Sequence, residues 1–191
     1  MSNISLMQQA LGSQWEQLPP TLQAHYQQSR NTDVGALDIA YPDLMQPYLS
    51  FLRLLGALVN RRGKAVPTTV EKWMDGGTQR WKRTITFPDG KAIFFKSHWV
   101  YAGSNEVIEY VSPFMGLRMA VSVVDGKLNY SGKHLVLKLG SVLIPIPEWL
   151  VLGHTTIVET ALDEGQFAMD FRLTHPWFGE VFSYAGKFRT E

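Results

Sequence analysis

The sequence contains no cysteine, which excludes disulfides, thiolate metal sites and a cysteine nucleophile, and fits either redox compartment. It also lacks a dominant charge. Its 18 basic and 17 acidic residues leave a formal net charge of +1, far from the positive field by which nucleic-acid binders neutralise phosphates, so nucleic acid is not an expected partner. Long apolar runs are missing as well. Residues 48–59 are interrupted by Arg53, and residues 142–152 by Pro145, Pro147 and Glu148; both stretches fall short of the ~20 residues a membrane-spanning helix needs. In residues 1–15 no basic segment precedes an apolar core, because Gln8, Gln9 and Gln14 break it up. The expectation is no export signal and a cytoplasmic location.

Several catalytic signatures are absent. There is no GxSxG elbow, no GxGxxG and no GxxxxGK[ST], and the Gly-Lys pairs beginning at 63, 90, 126, 132 and 186 lack the upstream glycine of a phosphate loop. His25, His98, His134, His154 and His175 show no i, i+4 pair or other local ligand spacing, so no metal site is expected. Which cofactor, if any, the protein uses is not identified by these residues.

What is present is 191 residues, 45% of them apolar. That is enough to bury about 70% of the unfolded surface around a real core, and one domain spanning residues 1–191 is expected. Residues 1–64 read as a mainly helical front end. Leu6, Met7, Ala10 and Leu11 recur at helical spacing before Gly12, and Pro19 and Pro20 open a second short helix carrying Leu22 and Tyr26. After a brief extended piece at 36–41, Asp43 is placed to cap a helix over 44–60. Its apolar face includes Leu44, Leu49, Leu52 and Leu55, and the expectation is packing on a sheet rather than lying on a membrane as a basic surface helix, although Arg61, Arg62 and Lys64 follow it.

From residue 65 to 191 the pattern changes to period two. Turn signals at Pro88-Asp89-Gly90, Gly103-Ser104-Asn105, Asp125-Gly126 and Asp163-Glu164-Gly165 predict an antiparallel meander of about eight strands, forming a curved sheet or a barrel. The fold class is thus mainly β with N-terminal helices. Two prolines keep residues 144–149 out of any central strand and suggest a crossover or a short helical turn.

Hairpin register sorts the two faces of the sheet. Around residues 163–165, Ala161 opposes Phe167, Glu159 opposes Met169 and Ile157 opposes Phe171, a face that is apolar except for Glu159. Around Pro88-Asp89-Gly90, Trp81, Arg83, Ile85 and Phe87 share a face with Ile93, Phe95, Ser97 and Trp99, and Arg83 is the unexpected member. Val121 opposes Tyr130, and Gly132 marks a bulge because apolar parity switches after it. Charges on an inner face must be paired and hydrogen-bonded. Arg83 and Glu159 are therefore expected to meet each other or a ligand, with Ser97, Tyr130 and Tyr184 completing a polar island.

Across nearly its whole length the chain resembles the bacterial family known as domain of unknown function 4166. The resemblance is carried by Leu11-Gly12 with Trp15, Leu18-Pro19, His25, Val66-Pro67, Trp81 with Arg83 and Gly116-Leu117. It continues through Asp125-Gly126, Pro145 with Pro147, Glu159, Gly165 with Phe167 and Asp170, and Pro176, Gly179, Tyr184 and Gly186. Gln166 stands where the family has an arginine. In some relatives a similar domain is joined to a nucleotide-binding oxidoreductase-like domain. The resemblance thus implies redox chemistry here only through a separate partner.

Three functions are compatible with these residues. The first is a binding module holding a hydrophobic or lipid-like small molecule inside the sheet, with Arg83 engaging an acidic head group beside Glu159, Tyr130, Tyr184, Ser97, Trp81 and Trp99. The second is an accessory domain meeting a protein partner through the 44–60 helix or a sheet edge. The third is an enzyme with Glu159 as acid/base, Arg83 stabilising charge and Tyr184 assisting.

Overall fold

The computed structural model describes residues 4–27, 29–163 and 165–191. Eleven strands form one antiparallel sheet. They are β1 (Arg30–Ala40), β2 (Gly63–Asp75), β3 (Thr78–Thr86), β4 (Ala92–Gly103), β5 (Glu106–Tyr110), β6 (Met115–Val124), β7 (Lys127–Leu139), β8 (Val142–Ile146), β9 (His154–Ala161), β10 (Gln166–His175) and β11 (Gly179–Thr190). Their spatial order is β6-β5-β4-β3-β2-β1-β11-β10-β9-β7-β8, and β6 also pairs with β7. That extra pairing closes ten strands into a barrel and leaves β8 as an eleventh strand on the far half of β7. Closure removes the unpaired edges an open sheet would present.

The expected count of about eight strands is low mainly because β1 and β8 escape the apolar pattern. On β1 two of the inward positions are the buried polar residues Asn31 and Asp33, so the strand reads as extended only from residue 36 although it begins at Arg30. The front end therefore contains a barrel strand as well as helices. β8 carries Pro145 opposite Val136, and it tolerates a proline because its other side needs no ladder donor. A 3₁₀ turn, Glu148–Leu150, follows it. The proline segment thus splits between an edge strand and a turn.

The expected hairpin registers appear as paired strands. Glu159 opposes Met169 and Ile157 opposes Phe171, Arg83 opposes Phe95, and Val121 opposes Tyr130. Glu164 of the intervening 163–165 turn lies outside the described residues. The β6–β7 register shifts between Met119↔Gly132 and Arg118↔His134, which places the bulge at Lys133. A Cβ on Gly132 would fall 1.9 Å from the Glu148 carboxylate, so the glycine makes room for that buried group. Glu148 in turn accepts from the Thr155 amide at 3.1 Å and pairs with His154 at 2.9 Å.

The two ends of the barrel are covered differently. At one end α1 (Leu6–Leu11), a 3₁₀ turn (Gly12–Gln17) and α2 (Pro20–Gln27) form a plug. The Ser5 and Gln8 side chains make a reciprocal capping box at the start of α1, and Leu6, Met7, Leu11, Trp15 and Leu22 are buried in the same core as the strands. The other end carries α3 (Gln46–Leu54), preceded by a 3₁₀ turn at Asp43–Met45, and the connection after β8. α3 is shorter than the expected helix over 44–60, and only Leu49 and Leu52 are buried along it. Leu44 and Leu54 lie outside, so the helix covers the barrel with a narrow stripe rather than the wide apolar face the sequence suggests. Among the described residues no helix is long and apolar enough to cross a membrane.

β1 and β11 approach each other closely. A Cβ on Gly186 would lie 2.2 Å from the Ala36 carbonyl oxygen, whereas one on Gly77 would meet nothing within 4 Å. Gly186→Ala is therefore expected to lower the free energy of unfolding in urea by about 1–3 kcal/mol through enforced backbone displacement. Gly77→Ala should leave it within about 0.5 kcal/mol.

Candidate ligand site in the barrel interior

The barrel interior contains a cavity of about 140 Å³ lined by residues from the α2 plug to α3. Its walls are mostly apolar, with Leu37, Ile39, Val70, Ile85, Phe171 and Leu173 among them. Three polar groupings interrupt the walls, built from strand residues and, in two of them, from α2.

The first joins α2 to β1 and β2. Lys72 follows Val66, Thr68 and Val70 on the buried side of β2 and is 1% exposed. Its ammonium lies 2.9 Å from Asp33 Oδ2, donates to the His25 carbonyl oxygen at 2.9 Å, and faces the His25 ring nitrogens at 2.8 and 3.0 Å. Asp33 Oδ1 meets His25 Nδ1 at 3.1 Å and accepts from Thr190 Oγ1 at 2.7 Å. Burial, seconded by the Lys72 charge, lowers the His25 pKa from 6.5 to about 4, so the ring is neutral. Burial also lowers Lys72 from 10.5 to about 8, with Asp33 opposing the shift. Burial alone would raise the Asp33 carboxyl, but His25 and Lys72 hold it well below the usual carboxylate range.

The second grouping is centred on Glu159. Tyr26, also on α2, donates to its carboxylate at 2.8 Å to both oxygens, and the Tyr26 and Tyr130 hydroxyls are in direct contact. With one proton on each hydroxyl, the chain runs Tyr130 to Tyr26 to Glu159. Burial drives the Glu159 pKa from 4.5 to about 7, against the Tyr26 hydrogen bond and the Lys72 charge. Burial, followed by the Glu159 charge, raises both Tyr26 and Tyr130 well above their ordinary value.

Arg83 anchors the third. It donates to Ser97 Oγ at 3.0 Å and to Glu109 Oε1 at 3.1 Å, while Ser97 donates to the same Glu109 oxygen at 2.6 Å. Its guanidinium lies 4.9 Å over the Trp81 ring. Burial works against the Arg83 charge, but Glu109 prevails and raises its pKa. Trp81 stacks on Trp99 at 5.1 Å, and Trp99 meets Tyr130 edge-on at 5.7 Å. Tyr184 stacks on Phe171 at 4.5 Å, and burial pushes its hydroxyl up to about 12.

Arg83, Glu159, Tyr130, Tyr184, Trp81 and Trp99 all line the one cavity, and Ser97 binds from behind Arg83. Arg83 and Glu159 do not pair with each other: Arg83 meets Glu109, and Glu159 meets two tyrosines. Lys72, Asp33, His25, Tyr26 and Glu109 escape the sequence reading. The strict alternation of Val66, Thr68, Val70 and Lys72 is the signal that would have found Lys72. β5 gives no such signal for Glu109, because both Val107 and Ile108 are buried. Among the described residues no group of three His, Asp or Glu side chains is placed to hold a metal ion.

The interior charges nearly cancel. Lys72 balances Asp33 and Arg83 balances Glu109, which leaves Glu159 on the cavity wall without a cation of its own. The molecule is thus an antiparallel β-barrel with an apolar cavity around a compensated polar cluster. Residues 18–188 match the model of the family described as Domain of unknown function (DUF4166), and the chain belongs to that family. No curated protein matches the sequence. Among solved structures, a crystal structure of a mutant of the fluorescent protein UnaG is similar, at 17% sequence identity and a TM-score of 0.35, with 83% of this chain and 92% of that chain covered.

The raised Glu159 pKa has a defined effect on stability. The folded state favours its protonated form, so the contribution is fully present below pH 4.5 and is lost as pH rises through about 7. His25 acts in the opposite sense, with its contribution present above pH 6.5 and lost as pH falls through about 4. Comparison with Glu159→Gln isolates the first effect. The variant is expected to gain on wild type by about 3 kcal/mol between pH 4.5 and 7 in urea unfolding. A pH-independent difference would contradict the assignment.

Proposed function

We propose that the barrel binds a hydrophobic small molecule carrying one neutral hydrogen-bonding end. The observation that carries this reading is the apolar cavity of about 140 Å³ inside the barrel, about the size that admits a single aromatic ring when left empty in a protein core. The polar end would rest against Glu159 and Tyr130. With Arg83 held by Glu109, the interior has no spare positive charge, so an anionic head group would be buried unpaired. This refines the acidic head group expected from the sequence towards an alcohol, phenol or ketone. The reading keeps the bacterial, cytoplasmic setting expected from the sequence as part of the proposal.

Native mass spectrometry and solvent extraction of the purified protein test it, together with titration of an apolar fluorescent probe. A retained small molecule, or saturable probe binding, supports the reading. Its absence in both experiments removes it. Val70→Phe, which projects into the cavity, is expected to weaken probe binding about tenfold while the protein still unfolds cooperatively.

A second reading, general acid/base catalysis by Glu159, is favoured by the position of its pKa near 7 at the cavity wall. It predicts that Glu159→Gln retains the bound molecule and abolishes its turnover.

A further inference from the structure

Most of the exposed large apolar side chains lie at the α3 end of the barrel; Ile4, Val34, Tyr101 and Val124 are elsewhere. Leu54 on α3 is 84% exposed and Trp177 in the β10–β11 turn 74% exposed. Phe178 beside it, Phe114 before β6, Val142 at the β7–β8 turn and Trp149 after β8 are exposed too. At the opposite end, the turns after β6 and β9 present Asp125 and Asp163, and Asp75 after β2 is held by Arg80. The apolar residues sit on separate turns around a rim rather than in one groove, so they do not define a cleft for a peptide or helix. Trp149 and Trp177 meet edge-on at 6.1 Å, so part of the rim is a contiguous apolar patch of the kind that marks an interaction site, and tryptophans in particular favour the boundary between water and lipid.

Charge on this end selects the kind of lipid. Asp43 and Asp89 already hold Arg62 and Arg61, Asp170 and Glu180 share Arg172, and the buried Glu148 is hydrogen-bonded to His154 and the Thr155 amide. Arg53, Lys133 and Lys138 have no ion-pair partner among the described residues; Arg53 donates only to the Phe94 carbonyl oxygen. The rim therefore combines insertable apolar tips with uncompensated cations. We propose that the α3 end docks on an anionic lipid bilayer, with Leu54, Phe114, Trp149, Trp177 and Phe178 entering the interface and the three cations meeting its negative surface. Leu52 and Leu152, which line the cavity, belong to the same segments as Leu54 and Trp149. Docking thus sets the cavity cover against the bilayer. The docking itself is independent of cavity binding; its use in exchanging ligand with lipid rests on that reading.

Co-sedimentation with vesicles of phosphatidylcholine alone, and of phosphatidylcholine mixed with phosphatidylglycerol, tests the proposal. The protein is expected to sediment with the mixed vesicles at low salt, to be released by high salt, and to shift its tryptophan emission to shorter wavelength. Both Trp177→Ser/Phe178→Ser and Lys133→Glu/Lys138→Glu are expected to weaken binding more than tenfold. All four residues lie outside the cavity, so apolar probe binding in vesicle-free solution should be unchanged and reports separately on folding and on the cavity. Failure to sediment, equal binding to neutral vesicles, or variants that bind like wild type would overturn the proposal. So would a homodimer in sedimentation velocity that the same variants dissolve without any vesicle binding.

Discussion

The insertion of His25 and Tyr26 into the barrel end is the contact on which the rest of the interior depends. The barrel wall pairs the inward Lys72 with Asp33, but it offers no cation to the inward Glu159 and no further partner to the lysine. α2 supplies adjacent side chains that reach both: His25 lies against Lys72 and Asp33, and Tyr26 donates to Glu159. Unpaired, each of these buried charges would cost several kcal/mol. The helical plug is therefore an electrostatic component of the barrel as well as a hydrophobic cover, which accounts for the depth at which Leu22 and Tyr26 are buried.

This dependence explains which parts of the architecture can be read from the sequence. The inward positions of Arg83 and Glu159 follow from local rules, since tight turns fix hairpin register and register fixes the face. Their partners do not follow from those rules. Tyr26 and Glu159 are 133 positions apart, and Glu109 reaches Arg83 from a strand of five residues whose neighbours are buried on both faces. Local alternation says that a charge points inward without saying what it meets. Barrel closure is similarly hidden, because it rests on β7 pairing with β6 along one side and with β9 and β8 along the other.

β1 and β8 show the same limit from the opposite direction. Asn31 and Asp33 occupy inward positions normally filled by apolar residues, so a strand that is structurally central looks like a loop in the sequence. Pro145 makes β8 look non-regular, and it is regular only because it lies outside the closed ring. In the first case the buried polar residues are there for α2; in the second the proline marks where the barrel stops recruiting strands. Gly132 belongs to the same region. Its missing side chain admits the Glu148 carboxylate, which tethers the post-β8 turn over the cavity through Thr155 and His154.

The two ends of the barrel consequently have different physical characters. At the plug end, long side chains converge on paired charges and the turns outside are acidic, so movement there would expose several ionised groups at once. At the α3 end the cover is a nine-residue helix with two buried residues, a glutamate-tethered turn, and apolar tips facing outward. Opening this cover exposes mainly hydrocarbon, whose cost falls when the surroundings are themselves apolar. The α3 end is therefore the end whose opening costs least, whereas Glu159, its carboxyl poised between neutral and ionised forms, is held by Tyr26 of the plug.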